Sequence, residues 1–373
     1  MTHTQAGSRT RLKALLGQGQ SVWLDYLRRA HTRSGELAAL VADGLRGQTS
    51  NPTIFEQALR AGAEYDADLR AAARSSRSDA EIFEAIAVAD VREAADRFRP
   101  AYDATDGADG FVSIEVSPGM ARDTEGSASE ARRLWNEVGR PNVMIKIPGT
   151  REGWPAIERC LTEGINVNIT LLFSVEHYCS VAHAYLSALE ARIEAGEPVR
   201  RLASVASFFV SRVDTEVDRR LEALGASSPD LKGRIAVANA QLAYGAFLDI
   251  TQSLRWRALA AKGARVQRPL WASTGTKNPA YSDVLYVDSL IGPDTVTTIP
   301  PETLEHFEDH GTVTRALTAE ALAEGRHLMD ALAAAGINFA DVNRVLENEG
   351  IEKFAASYRG VLGVIAERRK ALA

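Results

Sequence analysis

The sequence predicts a (β/α)8 barrel, and three observations predict it. Eight short apolar runs punctuate the 373 residues. Each run is followed by a stretch of helical character, and alternating strand and helix points to a parallel α/β fold. Eight such units at this length suit a closed barrel better than an open sheet. In several runs, finally, polar residues fall in phase on one face, as a strand with one face to helices and one to a barrel axis requires.

The runs, in order, are Ser21–Leu27, Leu45–Pro52, Gly110–Ser117, Val143–Thr150, Ile165–Phe173, Leu202–Phe209, Arg268–Thr274 and Asp294–Pro301. A strand buried on both faces reads as near-continuous Val, Ile and Leu, and Val143–Thr150 is such a run apart from Lys146. The segment Glu56–Pro100, between the second and third runs, is long and reads as more than one helix. Helices are expected over Ala128–Val138, Trp154–Thr162, Val175–Ala195 and Arg212–Leu224. Ser174 is a candidate N-cap, and Glu176 in the first turn suits the helix dipole. Gly225 is a plausible C-terminal stop. Arg234–Leu259 is Ala-rich with apolar residues at helical spacing and reads as one long helix. The tail Ala340–Ala373 reads as a further helix. No Pro/Gly/Ser linker and no internal repeat is evident. Residues 1–373 are therefore expected to form a single barrel domain with helical N-terminal and C-terminal extensions.

Composition narrows the function. Apolar residues are 45% and charged residues 25%, as in ordinary globular proteins. The net charge is −6 with no long run of one sign, so a nucleic-acid partner is not expected. Cys160 and Cys179 form no CxxC motif, and the seven histidines show no HExxH spacing. No GxGxxG follows a strand. Neither a metal nor another cofactor is expected. The first 20 residues carry no apolar h-region, and no 18-residue apolar stretch exists. These features predict no membrane association and a reduced, cytoplasmic setting.

Lys146 interrupts the apolar run Val143–Thr150. A charge inside a buried strand is costly unless it is paired or its pKa falls. A lysine that is neutral near pH 7 attacks carbonyls and can form a Schiff base. The same position also fits a structural ion pair or a head group escaping at the strand end. Asp25 lies inside Val22–Tyr26, Thr49 and Asn51 are in phase, and so are Ser113, Glu115 and Ser117. Asn166, Asn168 and Thr170 share a face, as do Ser207 and Phe209, with Arg212 just beyond. Asp25 and Glu115 also fit mere neutralisation of Lys146, Asn51 a turn former before Pro52, Ser207 a small core residue, and Arg212 a helix surface. The joint pattern favours a site, because barrel enzymes place theirs at the C-terminal strand ends. The stretch Trp271–Pro279, with Ser273, Thr274, Gly275, Thr276 and Lys277, suits a phosphate site after the seventh strand, or a turn with a solvated lysine.

These motifs resemble the transaldolase family. The resemblance rests on Thr49-Ser50-Asn51-Pro52-Thr53, Val112-Ser113-Ile114-Glu115-Val116, Val143–Pro148, Gly164–Phe173, Leu24-Asp25 and Ser207–Arg212. It runs from about Trp23 to Ile299, and the chain's length is similar to the longer bacterial branch. The resemblance implies transfer of a dihydroxyacetone unit between sugar phosphates in the pentose phosphate pathway. It implies Lys146 as the Schiff-base lysine and Asp25 as the acid–base for carbon–carbon cleavage. Glu115, with Thr170 and a water, would handle protons during Schiff-base formation. Thr49, Asn51, Asn168 and Ser207 would hold substrate hydroxyls, with Phe209 beside them, and Arg212 would hold the phosphate. Ser273 and Lys277 stand where many members have an arginine-bearing loop.

Two other readings share these features. A lysine-dependent aldolase would release the three-carbon unit to water. The related fructose-6-phosphate aldolases use a tyrosine where this chain has Glu115, which favours transfer. A silent sugar-phosphate-binding barrel would be expected to lack Lys146 or Asp25.

Overall fold

The computed structural model describes residues 10–73, 77–225 and 231–372; the first nine residues of the N-terminal extension lie outside it. Eight parallel strands close into a barrel in sequence order, with β8 pairing back onto β1. They are β1 (Gln20–Asp25), β2 (Leu45–Thr49), β3 (Phe111–Glu115), β4 (Val143–Pro148), β5 (Val167–Leu172), β6 (Ser204–Phe209), β7 (Arg268–Ala272) and β8 (Thr295–Ile299). Each falls within one of the expected runs or begins one residue before it. The residues beyond each strand form the loops that build the upper face.

A large ring fills the interior at its lower end. This is Trp23 of β1, fully buried and in phase with Asp25; Trp271 of β7, also fully buried, lies on the outer face against Phe208. Gly47 of β2 admits Trp23, because a Cβ there would lie 2.6 Å from the indole and 2.7 Å from the Phe111 carbonyl. Asp109 closes the N-terminal end. It accepts hydrogen bonds from Ser21 Oγ and, at 3.2 Å, from Trp23 Nε1, and it pairs with Arg268. A buried carboxylate is tolerable when satisfied in this way.

The helices follow the sequence in most places. Ser174 Oγ accepts from His177 N–H at 3.1 Å and caps Val175–Glu194. Helix Ser211–Ala223 ends just before Gly225, whose φ is +60°. The long connection after β2 holds Pro52–Ala61, Asp66–Ala73 and Asp79–Ala104; the last starts at a Ser78/Glu81 capping box and runs through Pro100. One expectation fails. Arg234–Leu259 is not one helix but two, Ile235–Gln252 and Leu254–Ala260. Ser253 adopts an extended conformation, and its Oγ caps the second helix through Trp256 N–H. Apolar periodicity continues across the break, and a serine's competing hydrogen bond is what interrupts the helix.

The C-terminal helix Phe339–Leu372 has 34 residues and so spans ~51 Å. It packs on the Pro52–Ala61, Asp66–Ala73, Asp79–Ala104 and Ser211–Ala223 helices and reaches β5. It thereby crosses the C-terminal end of the barrel. Among the described residues no helix is long and apolar enough to cross a membrane.

Candidate active site

A cavity of about 520 Å³ opens at the C-terminal ends of the strands. Its floor is a lysine–carboxylate pair. Strand register sets Glu115 of β3 beside Lys146 of β4. Lys146 Nζ lies 3.5 Å from Glu115 Oε2 and 3.5 Å from the Ser50 carbonyl oxygen. Each of the paired side chains is only 9% exposed. Glu115 also borders a second pocket, lined by Phe55, Ile114, Val116 and Leu134 together with Glu84 and Glu130. Burial there pushes its carboxyl up, while Lys146 pulls it back.

Asp25 ends β1 and faces Thr49 at the end of β2. Thr49 Oγ1 donates to Asp25 Oδ1 at 2.8 Å and lies 2.9 Å from Thr298 Oγ1 on β8. Since the Thr49 proton is used on Asp25, Thr298 donates to Thr49. This relay fixes the Asp25 carboxylate at the cavity wall. Asn51 Oδ1 accepts from Ile54 N–H at 3.1 Å, capping the Pro52–Ala61 helix, and its side chain also lines the cavity. The turn-forming and site readings of Asn51 are thus both realised.

On the other side, Thr170 of β5 is buried against the cavity, and its hydroxyl has no hydrogen-bond partner among the described residues. Such an orphan calls for a water or a ligand atom. Asn168 is fully buried one layer lower. Its amide donates to Ser113 Oγ at 2.9 Å, and its carbonyl oxygen accepts from Ser207 Oγ at 2.6 Å. Of the sequence-predicted residues, Asn168 alone does not line the cavity. It orients Ser207, which does.

The rim is cationic. The Arg212 guanidinium stacks 5.1 Å from the Phe209 ring centroid and has no ion-pair partner among the described residues. Burial pulls its pKa below the ordinary range, opposed by Glu349, Asp25 and Glu115. An arginine nonetheless stays charged, and an unpaired, half-buried guanidinium is poised for an anion. Ser273 sits in the left-handed region with φ +58°, and its Oγ lies 3.0 Å from Ser211 Oγ. Lys277, four residues on, is exposed and reaches the same cavity. Charge is thus sorted by depth: Lys146 with Glu115 and Asp25 below, Arg212 and Lys277 above.

The sequence did not point to the roof. Gly350, Lys353, Phe354 and Ser357 of the C-terminal helix also line the cavity, as do Gln57 and Thr298. A Cβ at Gly350 would lie 3.0 Å from Leu171 Cδ2 and 3.8 Å from Arg212 Nη1, so the helix seats closely there. Thr298 had a signal, the polar stretch in the eighth run; the helix residues had none.

Known proteins match this sequence. The family profile described as Transaldolase/Fructose-6-phosphate aldolase matches residues 22–365. The transaldolase of Acidothermus cellulolyticus is 51% identical over 348 residues, covering 93% of this chain and 94% of that protein. That of Mycolicibacterium smegmatis is 50% identical, covering 94% and 95%, and that of Trichodesmium erythraeum 47%, covering 95% and 96%. The barrel, the buried lysine at its C-terminal end and a match across nearly the whole length agree: the chain belongs to the transaldolase/fructose-6-phosphate aldolase family.

Proposed function

We propose that the chain transfers a dihydroxyacetone unit from a ketose phosphate, sedoheptulose 7-phosphate or fructose 6-phosphate, to an aldose phosphate, in the pentose phosphate pathway. The observation that carries this is the pairing of a buried Lys146 with Glu115 beneath a rim bearing Arg212 and Lys277. Lys146 Nζ attacks the ketose carbonyl after passing its proton to Glu115. Burial favours the protonated form of that carboxyl, which suits it to hold the proton and return it to the departing water. Thr170 Oγ1, without a protein partner, holds that water.

The resulting iminium is the electron sink. Asp25 takes the proton of the hydroxyl at the scissile bond. The carbon–carbon bond breaks, its electron pair enters the iminium to give an enamine, and the aldose leaves. A second aldose accepts the enamine carbon, and Asp25 returns the proton to the new alkoxide. Hydrolysis then restores Lys146. Thr49, Asn51, Ser207 and Phe209 form the wall along the hydroxyls, with Asn168 supporting Ser207. Arg212, Ser273 and Lys277 receive the phosphate. The same reading takes residues 1–373 as one barrel domain with helical extensions, in a reduced cytoplasm; Cys160 and Cys179 are both free thiols.

A mixture of fructose 6-phosphate and erythrose 4-phosphate should yield sedoheptulose 7-phosphate, and Lys146→Ala should abolish it while the fold persists. Release of free dihydroxyacetone without acceptor, as fast as transfer with it, would instead mark an aldolase.

A further inference from the structure

Helix Ser211–Ala223 carries Arg212 in its first turn and, on one face, Asp214 and Asp218 at i, i+4 spacing. Both carboxylates are buried, 1% and 8% exposed, and neither has a cationic partner among the described residues. Buried charge without a counter-ion is costly. What satisfies these two is tyrosine. Tyr286 donates to Asp214 Oδ2 at 2.9 Å, and Tyr281 donates to Asp218 Oδ2 at 2.6 Å. The other oxygens accept from Ala236 N–H at 2.8 Å and Gly233 N–H at 3.1 Å. Gly233 has φ +70°, and a Cβ there would lie 2.6 Å from Tyr281 Cζ, so the ring lies flat against that backbone.

Both tyrosines follow β7 on the segment that begins with Ser273 and carries Lys277. That segment folds into a tight turn. Thr276 Oγ1 donates to the Ser282 carbonyl at 2.8 Å, and Tyr281 N–H to the Asn278 carbonyl at 3.1 Å. The turn bearing Lys277 is therefore fastened, through Tyr281 and Asp218, to the helix bearing Arg212.

We propose that Tyr281 and Asp218 are positioning residues that set the spacing between the Lys277 turn and Arg212, and so determine selectivity for phosphorylated substrates. The proposal rests on the assignment of Arg212 and Lys277 to phosphate. A charge-assisted hydrogen bond is short and directional, which suits it to fix two elements relative to each other.

Tyr281→Phe removes one oxygen and keeps the ring on Gly233. It should raise KM for fructose 6-phosphate by about 3- to 10-fold, the loss expected for one hydrogen bond. kcat at saturation and the use of unphosphorylated fructose should hardly change, a split that general loosening of the fold would not give. Asp218→Asn, which keeps an acceptor, should be milder than Asp218→Ala. An unchanged KM in a folded Tyr281→Phe protein, or equal losses on both substrates, overturns the proposal. Arg212→Ala and Lys277→Ala in the same assay separate the two ideas. If they raise KM for the phosphorylated ketose and Tyr281→Phe does not, only the positioning role falls. If none of the three discriminates, the phosphate assignment falls and takes the positioning role with it.

Discussion

At the scale of single residues, the site divides its proton work by surroundings. Glu115 is buried, 9% exposed, and faces Lys146 Nζ. Asp25 sits at the cavity wall and is held by the Thr298–Thr49 relay. Environments that differ this much suit two separate proton transfers. Glu115→Gln should therefore slow Schiff-base formation, and Asp25→Asn should leave it intact while blocking cleavage. General acid–base groups contribute ~10²–10⁴-fold, so both losses should be large. Adduct mass separates them: Asp25→Asn should hold the uncleaved six-carbon ketose on the lysine, and accumulation of the three-carbon adduct at the wild-type rate would remove Asp25 from that role. Residues of this kind were legible in the sequence because a charge inside an apolar run is conspicuous. Asn168 was legible as inward-facing but not as supporting, because its partners Ser113 and Ser207 are set by strand register rather than by neighbours in sequence.

At the scale of elements, helix Ser211–Ala223 links the site to stability. Burial, with Asp218 adding to it, pushes the Asp214 carboxyl up to about 7, against the hydrogen bonds from Ala236 and Tyr286. In the unfolded chain an aspartate titrates near 3.9. Below that pH the group is protonated in both states and its contribution is fully present. As pH rises, unfolding releases the proton, so stability declines until pH passes about 7. Asp214→Asn should flatten that decline, read as the denaturant midpoint at a series of pH values. Parallel wild-type and variant profiles between about pH 4 and 7 would show that Asp214 is not the group responsible. All eight strands were legible, since short apolar-rich runs recur eight times, several with polar residues in phase on one face. The break at Ser253 was not, because a capping hydroxyl leaves the apolar period unbroken on either side.

At the scale of the whole molecule, the barrel sorts charge by depth and the C-terminal helix roofs the result. The tail was legible as a helix. Its placement across the barrel mouth was not, because it depends on packing against helices roughly three hundred residues earlier, as in the pairing of Arg368 with Asp66. With the iminium as electron sink, exhaustive dialysis against EDTA should leave activity intact; loss restored only by a divalent ion would contradict that scheme. The central claim is that Lys146 is the covalent residue, and trapping tests it most directly. Borohydride with fructose 6-phosphate, followed by peptide mass spectrometry, should place a reduced dihydroxyacetone unit on the peptide containing Lys146. A stable adduct on any other lysine, with Lys146 unmodified, would contradict the account.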